Sequence, residues 1–337
     1  MTEQFRVLVQ SLGQASVGAL ELRLGHRSAF ESVRSTVRAA PWLIEQADER
    51  LLSLGDFARN PSLQGDPLVL RGRKVAGQAA ELPIPDTDEA FSLRAEMAEV
   101  NGWLATADID YAGCTVEDRI DLSQRFLRRI FNDGSLEKGG RLHHGFWQEM
   151  PKSRRLQYLR LQGQPIAAVD FAQMSVRLAY AQVGTCPPQG DLYFVPGVGG
   201  SREGVKQVMN ALLAGDKLPS RMPQGTRHHF PVRVKIEEVI EGIRMRHPAL
   251  VPLFASSQWM HHQSVESRVI LRSVLQLKAL GIVALPIHDC LLVRYDKAEV
   301  AKEVMERAFE DVSGGKGQAD VDLSPLAQVL VKQSKVA

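Results

Sequence analysis

The chain has 337 residues and a formal net charge of +2, with 44% hydrophobic and 24% charged residues. These fractions exclude collagen-like, disulfide-scaffold and wholly disordered classes. No apolar run approaches the roughly 20 residues that span a bilayer, so we expect no membrane partner. The N-terminus lacks the pattern of a secretory signal, and the 3 cysteines lie far apart. Reduced thiols, and therefore a cytoplasmic protein, are expected.

The first 138 residues predict mainly helices. Apolar spacing indicates a helix over 40–54, and two prolines among few large apolar residues make 76–87 (AGQAAELPIPDT) typical of a linker. Asp86 or Thr87 is placed to cap a helix over 88–104. A further helix is predicted over 116–131, ending at Asn132-Asp133-Gly134.

A basic stretch follows at 125–160. It contains 9 lysine or arginine residues against 3 acidic residues, with aromatic residues between them. Such a stretch can neutralise phosphates and stack on bases. Taken alone, a solvated amphipathic helix and loop is the favoured alternative.

The second half alternates strands, helices and loops. A short apolar strand over 164–170 (QPIAAVD) ends in a carboxylate and leads into a helix. Two apolar runs around His288-Asp289 predict a hairpin. The other predicted elements are loops over 184–200 and 215–231, helices over 201–214, 258–280 and 298–312, and a flexible segment over 313–318. This alternation predicts an α+β fold.

Two aspartates lie at the ends of these apolar strands. If Asp170 and Asp289 meet in one sheet, they can hold two divalent metal ions for phosphoryl transfer. Mg²⁺ suits such a site because it takes one or two carboxylates and completes its shell with phosphates and water. The alternative is structural: Asp170 caps the next helix and Asp289 forms the turn. For either residue alone, the structural alternative is favoured.

One helix face presents basic side chains. Arg202, Lys206 and Asn210 recur every four residues from the start of the helix over 201–214 and therefore share a face. Arginine and lysine one turn apart can clamp a polyphosphate. Two exposed basic residues on a surface helix are the favoured alternative for this segment alone.

Five segments, in order, resemble a polymerase group. Residues 168–180 (AVDFAQMSVRLAY), the helix from Arg202 and 285–293 (LPIHDCLLV) resemble motifs A, B and C of the family A DNA polymerases and the phage-type single-subunit RNA polymerases. Residues 139–151 (GGRLHHGFWQEMP) are similar to the segment that touches primer–template there. Residues 259–263 (WMHHQ) resemble a minor-groove segment of the RNA polymerases.

The resemblance implies a right-hand polymerase fold, with an antiparallel palm sheet, packed helices, reduced fingers and a helix-rich N-terminal region. The implied organisation is an accessory region over 1–80, a helical thumb-like or connecting region over 88–138, and a palm over 139–313. Small fingers would occupy about 185–260 of the palm region, and 314–337 would form a C-terminal tail.

The resemblance also implies residue roles. Asp170 and Asp289 would hold two Mg²⁺, for which Mn²⁺ can substitute, and the carbonyl of Phe171 would complete one site. Arg202 and Lys206 would grip the triphosphate, and Lys206 would also donate a proton to pyrophosphate. The remaining implied contacts are Ser175 and Asn210 to the nucleotide, and Arg141, His261, Gln263 and His288 to primer–template.

Three departures from the family pattern matter. Ser175 stands where the DNA polymerases have a glutamate that blocks a 2′-hydroxyl, so ribonucleotides should be tolerated. Asn210 and Ala214 replace aromatic residues of the motif B helix. The intervals of 31 residues between Asp170 and Arg202 and 81 between Lys206 and His288 are short, so the fingers should be small.

The expected function is template-directed nucleotidyl transfer, by a compact DNA polymerase or by an RNA polymerase or primase of a mobile element. Its partners would be a DNA or RNA primer–template, nucleoside triphosphates and other replication proteins. The alternative is a catalytically degenerate palm that binds nucleic acid as a replication factor.

Overall fold

The computed structural model describes residues 20–23, 36–50, 64–75, 77–114, 118 and 120–334. The chain forms two compact units, residues 1–58 and residues 59–337. In the first unit, strands β1 (Leu20–Arg23) and β2 (Thr36–Ala39) pair antiparallel, and helix α1 (Pro41–Glu49) follows. Proline suits the first turn of a helix, where its missing N–H is not needed. The helix predicted over 40–54 is confirmed up to Glu49, and 51–54 lie outside the described residues.

The second unit begins with strands β3 (Leu68–Arg71) and β4 (Glu81–Leu82), helix α2 (Asp88–Thr106) and strand β5 (Ile109–Tyr111). Strand β4 lies inside the predicted linker and pairs with β3. The side chain of Thr87 accepts a hydrogen bond from the amide of Ala90, which confirms the predicted helix cap. Met97 is fully buried on the inner face of α2, whereas Phe91 is 57% exposed.

Strands β6 (Arg128–Asn132) and β7 (Ser135–His143) form a hairpin. The helix predicted over 116–131 is therefore wrong: residues 120–127 are not helical, and Arg128–Asn132 form a strand. Asp133 and Gly134 both have positive φ, and this dipeptide is typical of a hairpin turn rather than of a helix end. The sequence pattern did not predict this strand because Arg129 is buried in it. The Arg129 guanidinium donates to the carbonyl of Gly140 and pairs with Glu96. Apolar periodicity assumes that charged side chains face solvent.

The middle of the chain places a buried strand between helices. The elements are helices α3 (Phe146–Glu149) and α4 (Lys152–Tyr158), strands β8 (Leu159–Leu161) and β9 (Gln164–Phe171), and helix α5 (Met174–Gln182). Every residue of β9 from Pro165 to Val169 is buried. A strand buried on both faces reads as a continuous apolar run, as the sequence predicts.

Three further helices follow: α6 (Arg202–Ala214), α7 (Ile236–Arg246) and α8 (Trp259–Ala279). Helices α6 and α7 form a second hydrophobic core with one face of α5. A buried histidine ties this core together, because His247 Nδ1 lies 2.8 Å from the hydroxyl of Tyr180 and His247 Nε2 lies 2.9 Å from the carbonyl oxygen of Leu192. The helix predictions over 201–214 and 258–280 are confirmed.

The C-terminal elements are strands β10 (Ala284–Ile287) and β11 (Cys290–Arg294), helix α9 (Ala298–Ser313), strand β12 (Ala319–Leu323) and helix α10 (Pro325–Ser334). The predicted hairpin around His288-Asp289 is confirmed. The segment treated as a C-terminal tail instead contributes β12, which pairs with β9, and α10. The sequence of β12, ADVDL, hid the strand because aspartate is depleted in strands.

The sheets define a mixed α+β fold, as expected. One sheet has the order β10-β11-β9-β8-β5, with β12 also paired to β9, and all these pairs are antiparallel. The other sheet has the order β4-β3-β6-β7, in which β3 and β6 run parallel. Helices α8 and α9 pack into the main hydrophobic core. No helix in the described part of the chain is long and apolar enough to cross a membrane.

Candidate active site

Strand pairing brings the two predicted aspartates together. Strands β9 and β11 are neighbours, and the Cα partner of Asp170 is Cys290, the residue after Asp289. The amide of Phe171 donates to the carbonyl of Asp289 at 3.2 Å. Neighbouring strands are about 4.8 Å apart. Asp170 at the end of β9 and Asp289 in the β10–β11 turn therefore lie side by side.

The surroundings of Asp170 oppose its negative charge. Partial burial, and after it the nearby carboxylate of Asp289, raise the pKa of Asp170 to about 6. Lys152 and Lys206 act in the opposite direction. Lys206 on helix α6 is therefore within electrostatic range of Asp170, and its ammonium lies 3.8 Å from Glu203 Oε2 one turn earlier. Two adjacent carboxylates, only partly compensated by lysines, favour a bound cation.

A third carboxylate belongs to the same face of the sheet. Asp320 on β12 is the Cα partner of Asp170, and directly opposed residues of an antiparallel pair point to the same face. Asp320 also contributes to the raised pKa of Asp170. Sequence reasoning missed Asp320 because nothing in the spacing of ADVDL links it to a strand 150 residues earlier.

A cavity of about 330 Å³ opens beside these carboxylates, lined among others by Lys152, Arg155, Asp170, His288, Asp289 and Asp320. Its carboxylates fit Mg²⁺, which is a hard cation that prefers oxygen ligands. The described residues contain no group of three or more His, Cys, Asp or Glu that could hold a metal ion. The role of the Phe171 carbonyl as a metal ligand stays a prediction. The ring centroid of Phe171 lies 5.6 Å from that of Phe309.

Arg202, at the N-terminus of helix α6, is linked to the start of α5 through Asp191. Arg202 Nε donates to Asp191 Oδ2 at 2.6 Å, and its guanidinium carbon lies 5.1 Å from the ring centroid of Tyr193. Asp191 Oδ1 also accepts from the Gln173 side chain at 2.7 Å. Asp191 therefore links the N-terminus of α6 to the loop that follows β9. Sequence reasoning missed Asp191 and Tyr193, which lie in a loop of glycine, proline and polar residues.

Two other predicted nucleotide contacts lie on these helices. Asn210, two turns after Arg202, has a buried side-chain oxygen without a hydrogen-bond partner in the described part of the chain. Ser175 lies in the first turn of α5 and is half-buried. A serine side chain fills little of the space that a glutamate would occupy there. The contacts of both residues with a nucleotide stay predictions.

The predicted primer–template residues form a second group. Arg141 on β7 makes a bidentate ion pair with Glu266 on α8. With its amide oriented to satisfy both donors, Gln263 accepts from Arg141 and Trp259. His261 is exposed in the first turn of α8. Sequence reasoning missed Glu266, although its position one turn after Gln263 on the same helix was a usable signal.

His288 joins the two groups. It is exposed in the β10–β11 turn, and its ring lies 5.8 Å from the ring of His143 on β7. Partial burial lowers the pKa of His288, and the charge of Arg141 lowers it further. The turn next to Asp289 therefore contacts the strand that carries Arg141.

The backbone of His288 is strained, because its φ is +53°. Left-handed conformations cost an L-residue about 1 kcal/mol or more, whereas glycine adopts them freely. We expect His288→Gly to be more stable than His288→Ala by about 1 kcal/mol in urea denaturation. Both variants lose the same ring contact, so the comparison isolates the backbone. Equal stability of the two variants would contradict the strain.

The pKa of Asp170 predicts a gain in stability when its charge is removed. Its folded value of about 6 exceeds the ordinary 3.8, so the folded state binds more protons between these values. Stability therefore falls as pH rises through this window. Without divalent cations, Asp170→Asn should raise the melting temperature at pH 8 by about 2 °C, since solvent screens part of the effect. The difference should shrink below pH 6 in thermal scans, and a pH-independent difference would contradict the prediction.

The basic stretch at 125–160 is largely structural. Arg125 donates to the carbonyls of Leu122, Ala107 and Ile109, and Arg155 donates to those of Trp147 and Met150. Arg129 is buried, and Arg154 pairs with Asp118. These guanidinium groups stabilise loops and strand ends. A non-binding role is therefore favoured for these arginines. The segment is, however, not the solvated amphipathic helix and loop that the alternative expected.

A search of solved structures finds a similarity to the POL domain of Pol1 from M. smegmatis, in complex with DNA primer-template and dNTP. The sequence identity is 11%, the TM-score is 0.39, and the match covers 69% of this chain and 50% of that chain. The chain thus spans about half the length of that structure. No protein-family model and no curated protein matches the chain. Any functional conclusion therefore depends on the geometry of the site.

Proposed function

We propose that the chain is a template-directed nucleotidyltransferase, a compact polymerase with a palm sheet around β9 and β11. The observation that carries this proposal is the strand register that sets Asp289 beside Asp170, with Lys206 of α6 close enough to lower the pKa of Asp170. A carboxylate pair faced by a basic helix suits a reaction that joins a metal-bound triphosphate to a nucleic-acid end. A helix cap would explain Asp170 alone and a turn residue would explain Asp289 alone. Neither explains why the two carboxylates lie side by side within range of the Lys206 charge.

Asp170 and Asp289 would hold Mg²⁺, which polarises phosphoryl oxygens and favours the deprotonated primer hydroxyl. Lys206 neutralises charge on the triphosphate and holds a proton for departing pyrophosphate. Arg202 supplies a planar fork for phosphate oxygens once Asp191 releases or shares it. The region of α6 and α7 takes the place of small fingers.

The test is extension of a labelled primer on a DNA template, with deoxynucleotides and ribonucleotides in separate reactions containing Mg²⁺ or Mn²⁺. Extension by the wild type, but not by the Asp170→Ala/Asp289→Ala variant, would support the proposal. Template binding without extension, with or without a primer, would favour a non-catalytic nucleic-acid-binding replication factor. The observation that favours this second candidate is the bond from the Arg202 guanidinium to Asp191, which would compete with binding of a triphosphate.

Sugar selection provides a separate prediction. Because Ser175 is small and half-buried at the start of α5, we expect ribonucleotides to be incorporated. Ser175→Glu should lower the ratio of ribonucleotide to deoxynucleotide incorporation by about 10²-fold, because the larger side chain would clash with a 2′-hydroxyl. Single-nucleotide kinetics measure this ratio. Ser153→Glu, on the exposed surface of α4, is the control, and an equal change in both variants would contradict the assignment.

A further inference from the structure

The carboxylate of Asp191 is fixed through one of its two oxygens. Its Oδ1 accepts a hydrogen bond from the Gln173 side chain at 2.7 Å and another from the amide of Tyr193 at 3.0 Å. Although partial burial opposes its charge, the bonds from the Tyr193 amide and from Arg202 lower the pKa of Asp191. The carboxylate is therefore ionised at neutral pH, and its Oδ2 is left for Arg202.

Arg202 uses one of its five N–H donors on this carboxylate. Its Nε donates to Asp191 Oδ2 at 2.6 Å. By contrast, Arg294 engages Asp296 through both Nε and Nη2. Within the described ranges of the chain, neither Nη of Arg202 has a hydrogen-bond partner, and the side chain is 53% exposed. The other four donors of Arg202 are thus left for a ligand.

A buried ring also restrains the guanidinium. The guanidinium carbon of Arg202 lies 5.1 Å from the ring centroid of Tyr193, which is buried. A guanidinium that lies over an aromatic ring and is bonded at Nε has lost much of its rotational freedom. Ordering a long side chain on binding normally weakens affinity about 2- to 10-fold. Arg202 is already ordered, so a ligand of its Nη groups avoids most of this loss.

Lys206 extends the same surface by one helical turn. Residues four apart on a helix are neighbours, so Arg202 and Lys206 share one face of α6. The Lys206 ammonium is 3.8 Å from Glu203 Oε2, which is beyond hydrogen-bond distance, and its side chain is 42% exposed. The Nη groups of Arg202 and this ammonium therefore form one basic surface, which suits successive phosphates of a polyphosphate.

We propose that Asp191 is a positioning residue that holds Arg202 by its Nε and leaves both Nη groups to bind a polyphosphate, so that carboxylate and ligand share the guanidinium. This inference deepens the proposed function and rests on it for the identity of the ligand, a nucleoside triphosphate. The opposite role is competition, in which the ligand must first displace Asp191. The contact through Nε alone favours sharing, because a phosphate can bind the Nη groups without breaking it.

The experiment measures binding of inorganic tripolyphosphate to the full chain by isothermal titration calorimetry, without divalent cations or nucleic acid. In Asp191→Asn, the remaining oxygen still accepts from Gln173 and Tyr193, so the new amide group faces Arg202, which has only donors to offer. The dissociation constant should rise by about 5-fold, because the ligand must then order the arginine itself. A lower dissociation constant would show competition and would overturn the inference.

Glu203→Gln is the matched control for the lost charge. Glu203 follows Arg202 in the first turn of α6, and its carboxylate lies near Lys206. This variant removes one negative charge from the same surface but keeps the bond between Asp191 and Arg202. Its dissociation constant should fall by about 2-fold, since an exposed like charge is removed. Shifts of the same sign in Asp191→Asn and Glu203→Gln would assign Asp191 a charge effect alone and overturn its positioning role.

Gln173→Asn tests the support of Asp191 with no change in charge. Asparagine tolerates the φ of +59° at this position, but its side chain is one methylene shorter and loses the 2.7 Å bond to Asp191. The dissociation constant should rise by about 2- to 3-fold, in the same direction as for Asp191→Asn. If Asp191→Asn does not fold, this variant decides the question, and unchanged binding would contradict the inference.

Primer extension separates this inference from the proposed function. Asp191→Asn should raise the nucleotide KM by about 5-fold and leave kcat within about 2-fold, because the contact contributes to binding in the ground state and the transition state alike. If the wild type binds tripolyphosphate as expected but extends no primer, the proposed function fails and the positioning of Arg202 stands. Normal extension by the wild type, with tripolyphosphate affinity and KM unchanged in Asp191→Asn, would overturn this inference alone.

Discussion

Asp289→Asn is expected to lower the rate of nucleotide incorporation by about 10³-fold or more, which corresponds to about 4 kcal/mol of lost transition-state stabilisation. The substitution keeps the shape of the side chain and removes the charge that would bind the metal ion. Asparagine is also well suited to turns, so the β10–β11 hairpin should remain intact. Pre-steady-state kinetics with saturating Mg²⁺ measure the rate, and circular dichroism confirms the fold.

Asp133→Asn is the matched control for this change. Asp133 occupies the turn of the β6–β7 hairpin with a φ of +54°, and its partner is Lys138 at 3.5 Å. Both substitutions therefore remove a turn carboxylate. The control variant should retain nearly full activity, because this turn lies at the opposite end of β7 from His143. Similar rates for Asp289→Asn and the wild type would remove Asp289 from the proposed metal site.

The sequence predicts those elements whose residues behave as their type suggests, with apolar side chains buried and a cap residue at the helix start. Strand β9 is an apolar run buried on both faces, and helix α2 is capped by Thr87, whose hydroxyl oxygen accepts a hydrogen bond from the amide of Ala90. Both features are local, so periodicity and capping chemistry were sufficient. The β10–β11 hairpin is predictable for the same reason.

The rest depends on contacts between distant residues. Strand β6 was mistaken for a helix because Arg129 is buried among partners from α2 and β7. Strand β12 was missed because Asp320 is a poor strand former whose place is set by its pairing with β9. Periodicity cannot predict a buried charge whose compensating partner lies elsewhere in the chain. The same limit concealed Glu266, the partner of Arg141.

The candidate site shows the same division. The aspartates at the strand ends were identifiable because a carboxylate after an apolar run is unusual. Their electrostatic environment was not, since it depends on Asp320 from β12 and Lys152 from α4. Asp191 lies in a loop, and only the structure relates it to Arg202 and Gln173. Sequence therefore indicates the candidate carboxylates, while the folded chain supplies the charged and polar groups around them.

Trp147→Ala is expected to destabilise the second unit by about 4 kcal/mol. Trp147 is fully buried, and its ring centroid lies 5.3 Å from that of Phe146. Its indole N–H donates to the carbonyl of Pro286 at 3.0 Å. Pro286 lies on β10, three residues before Asp289. The substitution would leave a large cavity and remove one of the anchors of the strand that leads into the turn.

Trp147→Phe separates packing from hydrogen bonding. It keeps most of the ring volume, and the Pro286 carbonyl still accepts from the Gln148 side chain at 2.9 Å, so the loss should be only about 1–2 kcal/mol. Urea denaturation followed by circular dichroism measures both variants, with Trp103→Ala on the half-buried face of α2 as the control. If the indole anchor also aligns Asp289, the folded fraction of Trp147→Phe will incorporate nucleotides more slowly, with little change in primer–template affinity. Full activity in that variant would assign Trp147 to the core alone and leave alignment of the turn to Gln148 and His143.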